Sequence, residues 1–178
     1  PHRREGGVIL KPPQASCRIR VFKAGLLAAM GHDLELELPG FQLSLDGDRI
    51  EGRFDARTLT VRGVLRDGTL DPGALSDKDK REILEHIRKG VFKAHRPGEI
   101  RFEGQLDDDD GEQIEGHGSL HIPPRQAPIS FQARRIQGRI EATLRLDQTR
   151  WGIEPFKAPL GVLKIQPEIE VRIEGAWG

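Results

Sequence analysis

A single cysteine, Cys17, excludes an intramolecular disulfide and leaves thiolates unable to carry a zinc site. Tyrosine is absent, and seven Phe and two Trp are the only aromatic side chains. Net charge is missing too, because 28 Lys and Arg balance 28 Asp and Glu. Without a basic excess or many stacking rings, a nucleic-acid partner is not expected, and nothing steers the chain toward anionic membranes. No apolar run approaches the roughly 18–20 residues of a membrane span, so no transmembrane segment is expected. The start of the chain is basic and then holds only Val8, Ile9 and Leu10 as an apolar stretch. That is short of the roughly 7–15 residues of a secretory signal. A cytoplasmic location is expected, or a periplasmic one if a leader has been removed.

Catalytic signatures are also missing. There is no G-x-S-x-G elbow, H-E-x-x-H, Walker loop or G-x-G-x-x-G opening a helix. Neither an enzyme nor a cofactor is expected. His117 and His121 share a strand, but four residues at about 3.3 Å each put them roughly 13 Å apart, too far to chelate one zinc. Their parity is opposite to that of Leu120 and Ile122, which places them outside. The run Asp107 to Asp110 lacks the spacing of a calcium loop and predicts a solvated turn. No metal site is expected.

What the chain has instead is alternation. Leu163, Ile165, Ile169, Val171 and Ile173 share one parity, with Lys164, Gln166, Glu168, Glu170 and Arg172 between them. The same period of two runs through Ile140, Ala142, Leu144 and Leu146, through Ile100, Phe102 and Leu106, and through Leu34, Leu36 and Leu38. Each run predicts a strand with one dry and one wet face. Pro167 predicts a bulge or an edge. A slip in parity between Phe54 and Leu59 predicts another bulge at Asp55 to Arg57. Turn signals at Pro39-Gly40, Asp46-Gly47-Asp48, Asp107–Gly111 and Gln137-Gly138 separate roughly eight or nine strands. So many single-faced strands bury their dry sides most simply in a closed barrel. One helix interrupts them. Ile83, Leu84, Ile87 and Val91 form its apolar stripe, Ser76 and Asp79 a capping box, and Gly90 a stop. It is expected to plug or lid one barrel end.

Particular segments then carry a family resemblance. Gly31-His32-Asp33-Leu34-Glu35 follows an apolar stretch, and the predicted helix is followed by Pro97-Gly98-Glu99-Ile100-Arg101-Phe102. Gln148-Thr149-Arg150-Trp151-Gly152-Ile153 places a polar pair before an aromatic-Gly-Ile, ahead of a closing strand from Gly161 to Glu174. In order and spacing, from about residue 16 to 175, the chain resembles the YceI-like family. It is most similar to the group with an Ala-His-Asp-His-Glu signature, although Leu34 replaces the second histidine and Pro123-Pro124 the family's turn glycine. The resemblance implies an all-β fold with an inserted helix, a closed antiparallel eight-stranded lipocalin-like barrel. It also implies binding of a long-chain isoprenoid or other lipid. Residues 1–15 are read as an N-terminal extension and 16–178 as one barrel domain.

Parity turns Ile19, Val21, Leu34, Leu36, Phe54, Ile100, Phe102, Leu120, Ile122, Ile129, Phe131, Ile140, Leu144, Leu163, Ile165 and Ile169 inward. Cys17 shares that side as a buried, inert thiol. His32 has the parity of Leu34 and is expected near a barrel mouth, meeting a ligand headgroup or pinning the hairpin. Trp151 and Phe156 mark a long aromatic loop that could gate the interior or staple itself to the wall. The candidate ligand contacts are therefore His32, Leu34, Leu36, Phe54, Ile100, Phe102, Leu120, Phe131, Leu144, Trp151, Phe156, Leu163 and Ile165. A carrier for an isoprenoid, quinone or fatty-acyl chain is the expectation. A barrel filled by its own side chains, acting as a structural or homodimeric interaction protein, is the alternative. A lipid- or quinone-modifying enzyme using His32 is the third.

Overall fold

The computed structural model describes residues 7–24, 33–91, 99–155 and 164–177. Its strands are β1 (Val8–Leu10), β2 (Ala15–Ala24), β3 (Asp33–Glu37), β4 (Phe41–Asp46), β5 (Arg49–Asp55), β6 (Thr60–Arg66) and β7 (Thr69–Asp71). After the helix α1 (Asp77–His86) come β8 (Glu99–Asp109), β9 (Gln113–Ile122), β10 (Arg125–Ile136), β11 (Arg139–Asp147) and β12 (Lys164–Ala176). All twelve strands join one antiparallel sheet in the order β1-β4-β5-β8-β9-β10-β11-β12-β2-β3-β6-β7.

The chain is thus all-β with a helix, as expected, but the closed eight-stranded barrel is corrected. The sheet is a strongly curled half-barrel of twelve strands, barrel-like in shape, and its outermost strands β1 and β7 are not paired with each other. Two breaks and two added edge strands account for the higher count. Residues 33–66 form one long bent hairpin, in which β4 pairs with β5 and β3 pairs with β6. The bend is built at Leu38-Pro39-Gly40 on one side and a 3-10 turn, Ala56–Thr58, on the other. The Asp55 N–H donates to the Gly40 carbonyl at 2.7 Å, and the Gly40 N–H donates to the Thr58 hydroxyl at 3.0 Å. Asp55 caps the turn by accepting from the Arg57 N–H. Where parity predicted one extra residue, the chain spends a full turn. As a result β4 and β5 lie at one flank of the strand order and β3 and β6 at the other.

Curling brings those flanks onto a common core. Val8 and Leu10 of β1 pack in one buried cluster with Leu36 of β3, Val61 of β6, Ile114 of β9 and Ile173 of β12. Each such side chain contributes about 1.5–3 kcal/mol by leaving water. Phe102, Leu120, Trp151 and Ile153 form a second buried cluster. The capping box of α1 is present as expected, with Ser76 Oγ accepting from the Asp79 N–H and Asp79 accepting from the Ser76 N–H. Leu84 packs against the first cluster, and Ile83 and Ile87 face the interior.

Tight curvature has its own residues. Gly104 of β8 and Gly118 of β9 sit opposite each other. A Cβ on Gly104 would meet the His117 carbonyl at 2.5 Å and the Phe102 ring at 2.6 Å, and one on Gly118 would meet that ring at 2.7 Å. Neither glycine has a positive φ, so close approach of strand and ring, not backbone conformation, is what excludes a side chain. The Phe102 ring meets the Phe131 ring edge-on, with centroids 6.2 Å apart.

Candidate ligand cavity

Inward-facing residues of both flanks surround one apolar cavity of about 290 Å³. Leu34 and Leu36 line it from β3, Phe54 from β5, Ile100 and Phe102 from β8, and Leu120 from β9. Phe131 lines it from β10, Leu144 from β11 and Ile165 from β12, and Trp151 lines it from the turn after β11. Ile19, Val21, Ile122, Ile129, Ile140 and Ile169 are there as well, as their parity predicted. His32, Phe156 and Leu163 lie outside the described residues.

Several lining residues escaped the sequence reading. Val8 and Leu10 belong to a three-residue strand too short to show a period. Leu43 and Leu45 belong to the short strand β4, Leu106 ends the run that begins at Ile100, and Trp177 follows the last strand. Gln148 was visible as half of a polar pair. The signal that would have placed it is parity, since it continues the series Ile140, Ala142, Leu144, Leu146, all of which line the cavity.

The chemistry of the wall is uniform. Among the described residues no charged side chain lines the cavity. Ser44 and Gln148 are its only hydroxyl- or amide-bearing members. Ser44 alternates with Leu43 and Leu45, which pack on the core, so strand geometry turns its hydroxyl to the other side. The Cys17 thiol is buried in the wall, and its pKa is pushed up to about 12, first by burial and then by the negative charge of Glu37. A thiol held protonated is neither a nucleophile nor a metal ligand at neutral pH. The wall therefore offers apolar contact and no acid–base pair among its described members.

A 3-10 turn, Gln148–Trp151, holds one part of the wall in place. Asp147 caps it, accepting from the hydroxyl of Thr149 at 2.6 Å and its backbone N–H at 3.0 Å. These bonds hold the Asp147 carboxyl below the usual carboxylate range. Gly152 closes the turn with φ 76°, a left-handed conformation that glycine adopts without strain. Trp151 is 1% exposed, and its indole N–H donates to the Leu120 carbonyl at 2.8 Å. The second tryptophan, Trp177, lines the cavity from the other core cluster, with the Arg135 guanidinium 5.0 Å from its ring.

The remaining polar candidates face away from this interior. Asp33 accepts from the Lys23 N–H at 2.8 Å, securing the β2–β3 pair. His117 is exposed, with Nδ1 2.6 Å from Asp107 Oδ2. The acidic run ends β8 and forms the following turn, in which Asp110 accepts from the N–H groups of Gln113 and Glu112. Those bonds keep its carboxyl below the usual range.

No protein-family model matches the chain. No curated protein matches it in sequence either. Among solved structures, the crystal structure of Burkholderia cenocepacia BcnA is similar, with a TM-score of 0.60 at 10% sequence identity. The superposition covers 90% of this chain and 94% of that one, so the likeness extends over most of both chains. At that identity the two share a fold. No helix among the described residues is long and apolar enough to cross a membrane.

Proposed function

We propose that the chain is a non-catalytic carrier or sequestering protein for a long-chain hydrophobic ligand of isoprenoid, quinone or fatty-acyl type. The ligand's chain would lie against Leu34, Leu36, Phe54, Ile100, Phe102, Leu120, Phe131, Leu144, Trp151 and Ile165. His32, Phe156 and Leu163 complete the proposed contact set. One observation carries this reading: a cavity of about 290 Å³ whose wall is aliphatic and aromatic almost throughout. A barrel packed solid by its own side chains would leave no such volume. Ligand sites typically occupy about 300–1,000 Å³, so this one suits a slim chain.

Desolvation supplies the affinity. Each buried methylene contributes about 0.8 kcal/mol, so about ten contribute about 8 kcal/mol, near the micromolar range. Lost translational and rotational freedom offsets part of this, and longer chains restore it. No turnover is part of the proposal. Native mass spectrometry of protein purified from cells tests it. A species heavier than the polypeptide by the mass of a chain lipid, released on denaturation, is the expected result. Repeated recovery of the bare polypeptide mass, with no extractable lipid, would contradict it.

A further inference from the structure

Gln148 is the one amide among the described residues that line the cavity, and its surroundings are unlike those of a surface glutamine. The residue is 8% exposed. Its turn is fixed at both ends, by the Asp147 cap and by Gly152. The bulge that breaks the β12–β2 register between Ile165 and Ile169 contains Pro167 and frees the carbonyl of Gln166. Gln148 Nε2 donates to that carbonyl at 3.3 Å. It is the only hydrogen bond of the Gln148 side chain among the described residues. A primary amide carries two N–H donors and a carbonyl acceptor. One donor is used, which leaves a second N–H and the Oε1 acceptor beside an apolar space. The Oε1 atom is not sealed away without a partner, and no charged side chain joins it in the described cavity lining.

We propose that Gln148 is a binding residue for the uncharged oxygen end of the ligand, an alcohol, ester or ketone oxygen. It donates its free N–H to that oxygen and, for an alcohol, accepts the hydroxyl proton at Oε1. This deepens the carrier function proposed above and rests on it. The hydrogen bonds fix which end of the chain lies at the Gln148–Trp151 turn. The same wall discriminates against a free carboxylate. An ionised group placed there would be stripped of water with no cationic side chain in the described lining to meet it, which is strongly unfavourable. The ligand class is thus a long-chain neutral oxygenated lipid, not a free fatty acid entering head first.

Three probes of equal chain length separate the possibilities: decane, n-decanol and decanoate, titrated at neutral pH with the fluorescence of Trp151 and Trp177 as the readout. The wild-type protein is expected to bind n-decanol more tightly than decanoate. Gln148→Leu should bind decane as the wild type does and n-decanol about three- to tenfold more weakly, the usual worth of a neutral hydrogen bond. Because this variant also loses the bond to Gln166, a wild-type measurement stands beside it. The side-chain amide resonance of Gln148 should shift with n-decanol and stay in place with decane. Unchanged n-decanol affinity in Gln148→Leu, or an amide resonance unmoved by bound n-decanol, overturns the anchor and leaves the carrier function intact. Failure of all three probes to bind the wild type overturns both.

Discussion

The indole N–H of Trp151 reaches across thirty-one residues of sequence to the carbonyl of Leu120, at 2.8 Å, and both side chains line the cavity. One hydrogen bond thus ties the turn after β11 to the inner wall of β9. Trp151→Phe keeps an aromatic ring but removes the indole donor from that carbonyl, and should cost about 1 kcal/mol of stability. Trp151→Ala also opens a void and should cost about 3–5 kcal/mol. Urea denaturation of the two variants measures the difference. Equal midpoints would mean that the turn is not anchored through this ring.

On the outer side of the sheet, Glu35 is only 2% exposed although it alternates with the inward Leu34 and Leu36. It accepts from Arg20 Nε at 3.1 Å and, at its other oxygen, from Arg62. A register shift in the β3–β6 pair next to Glu35 leaves Arg62 as the extra residue of a bulge, and this frees its side chain to turn toward Glu35. Removing the carboxylate leaves two cations facing each other. Because both arginines keep some contact with water, Glu35→Gln should cost about 2–3 kcal/mol, below the figure for a fully buried pair. A change in denaturation midpoint too small to resolve would show that the network contributes nothing net.

Cys17 makes a prediction for alkaline solution. Its thiol titrates near 9.0 when unperturbed and is pushed up to about 12 in the fold. Below pH 9 both folded and unfolded chains hold the proton, so stability does not depend on this group. Between pH 9 and about 12 the unfolded chain ionises while the folded chain does not. Stability should then fall with rising pH by up to about 1.4 kcal/mol per unit. With no tyrosine in the chain, the background in this range is set mainly by lysine. Denaturation series at several alkaline pH values should show a flatter slope for Cys17→Ala than for the wild type. Parallel slopes would show that the thiol is not held neutral.

Gly118→Ala tests the curvature. The added methyl group would press on the Glu103 carbonyl and the Phe102 ring. Either the strands separate or the ring swings into the cavity, at a cost of about 1–3 kcal/mol. Reduced stability together with weaker binding of an alkyl probe is expected. Wild-type values for both would show that the close approach of β8 and β9 is not required.

Much of the interior was legible because a strand encodes its faces at every second residue. Leu34, Leu36, Phe102, Leu120, Phe131 and Leu144 were placed by parity alone, and all line the cavity. The helix start was legible from Ser76 and Asp79, whose reciprocal bonds are local chemistry. Strand pairing was not. Nothing within residues 33–66 tells a reader that β3 and β4 leave one another for different flanks, since the turn at Ala56–Thr58 and the break at Gly40 hold each other through non-local bonds. The buried state of Glu35 was equally hidden, because it depends on partners fifteen and twenty-seven residues away. Gln148 looked like an ordinary polar residue because its burial comes from the packing of a short turn and a bulge at Pro167.

The central claim is that a hydrocarbon chain leaves water inside the curled sheet, and a homologous series of n-alkanols tests it most directly. Affinity should rise about fourfold with each added methylene, from about 0.8 kcal/mol apiece, and then level off once the cavity is filled. Affinity that is indifferent to chain length, or that climbs without levelling as in partition to an open surface, would contradict the account.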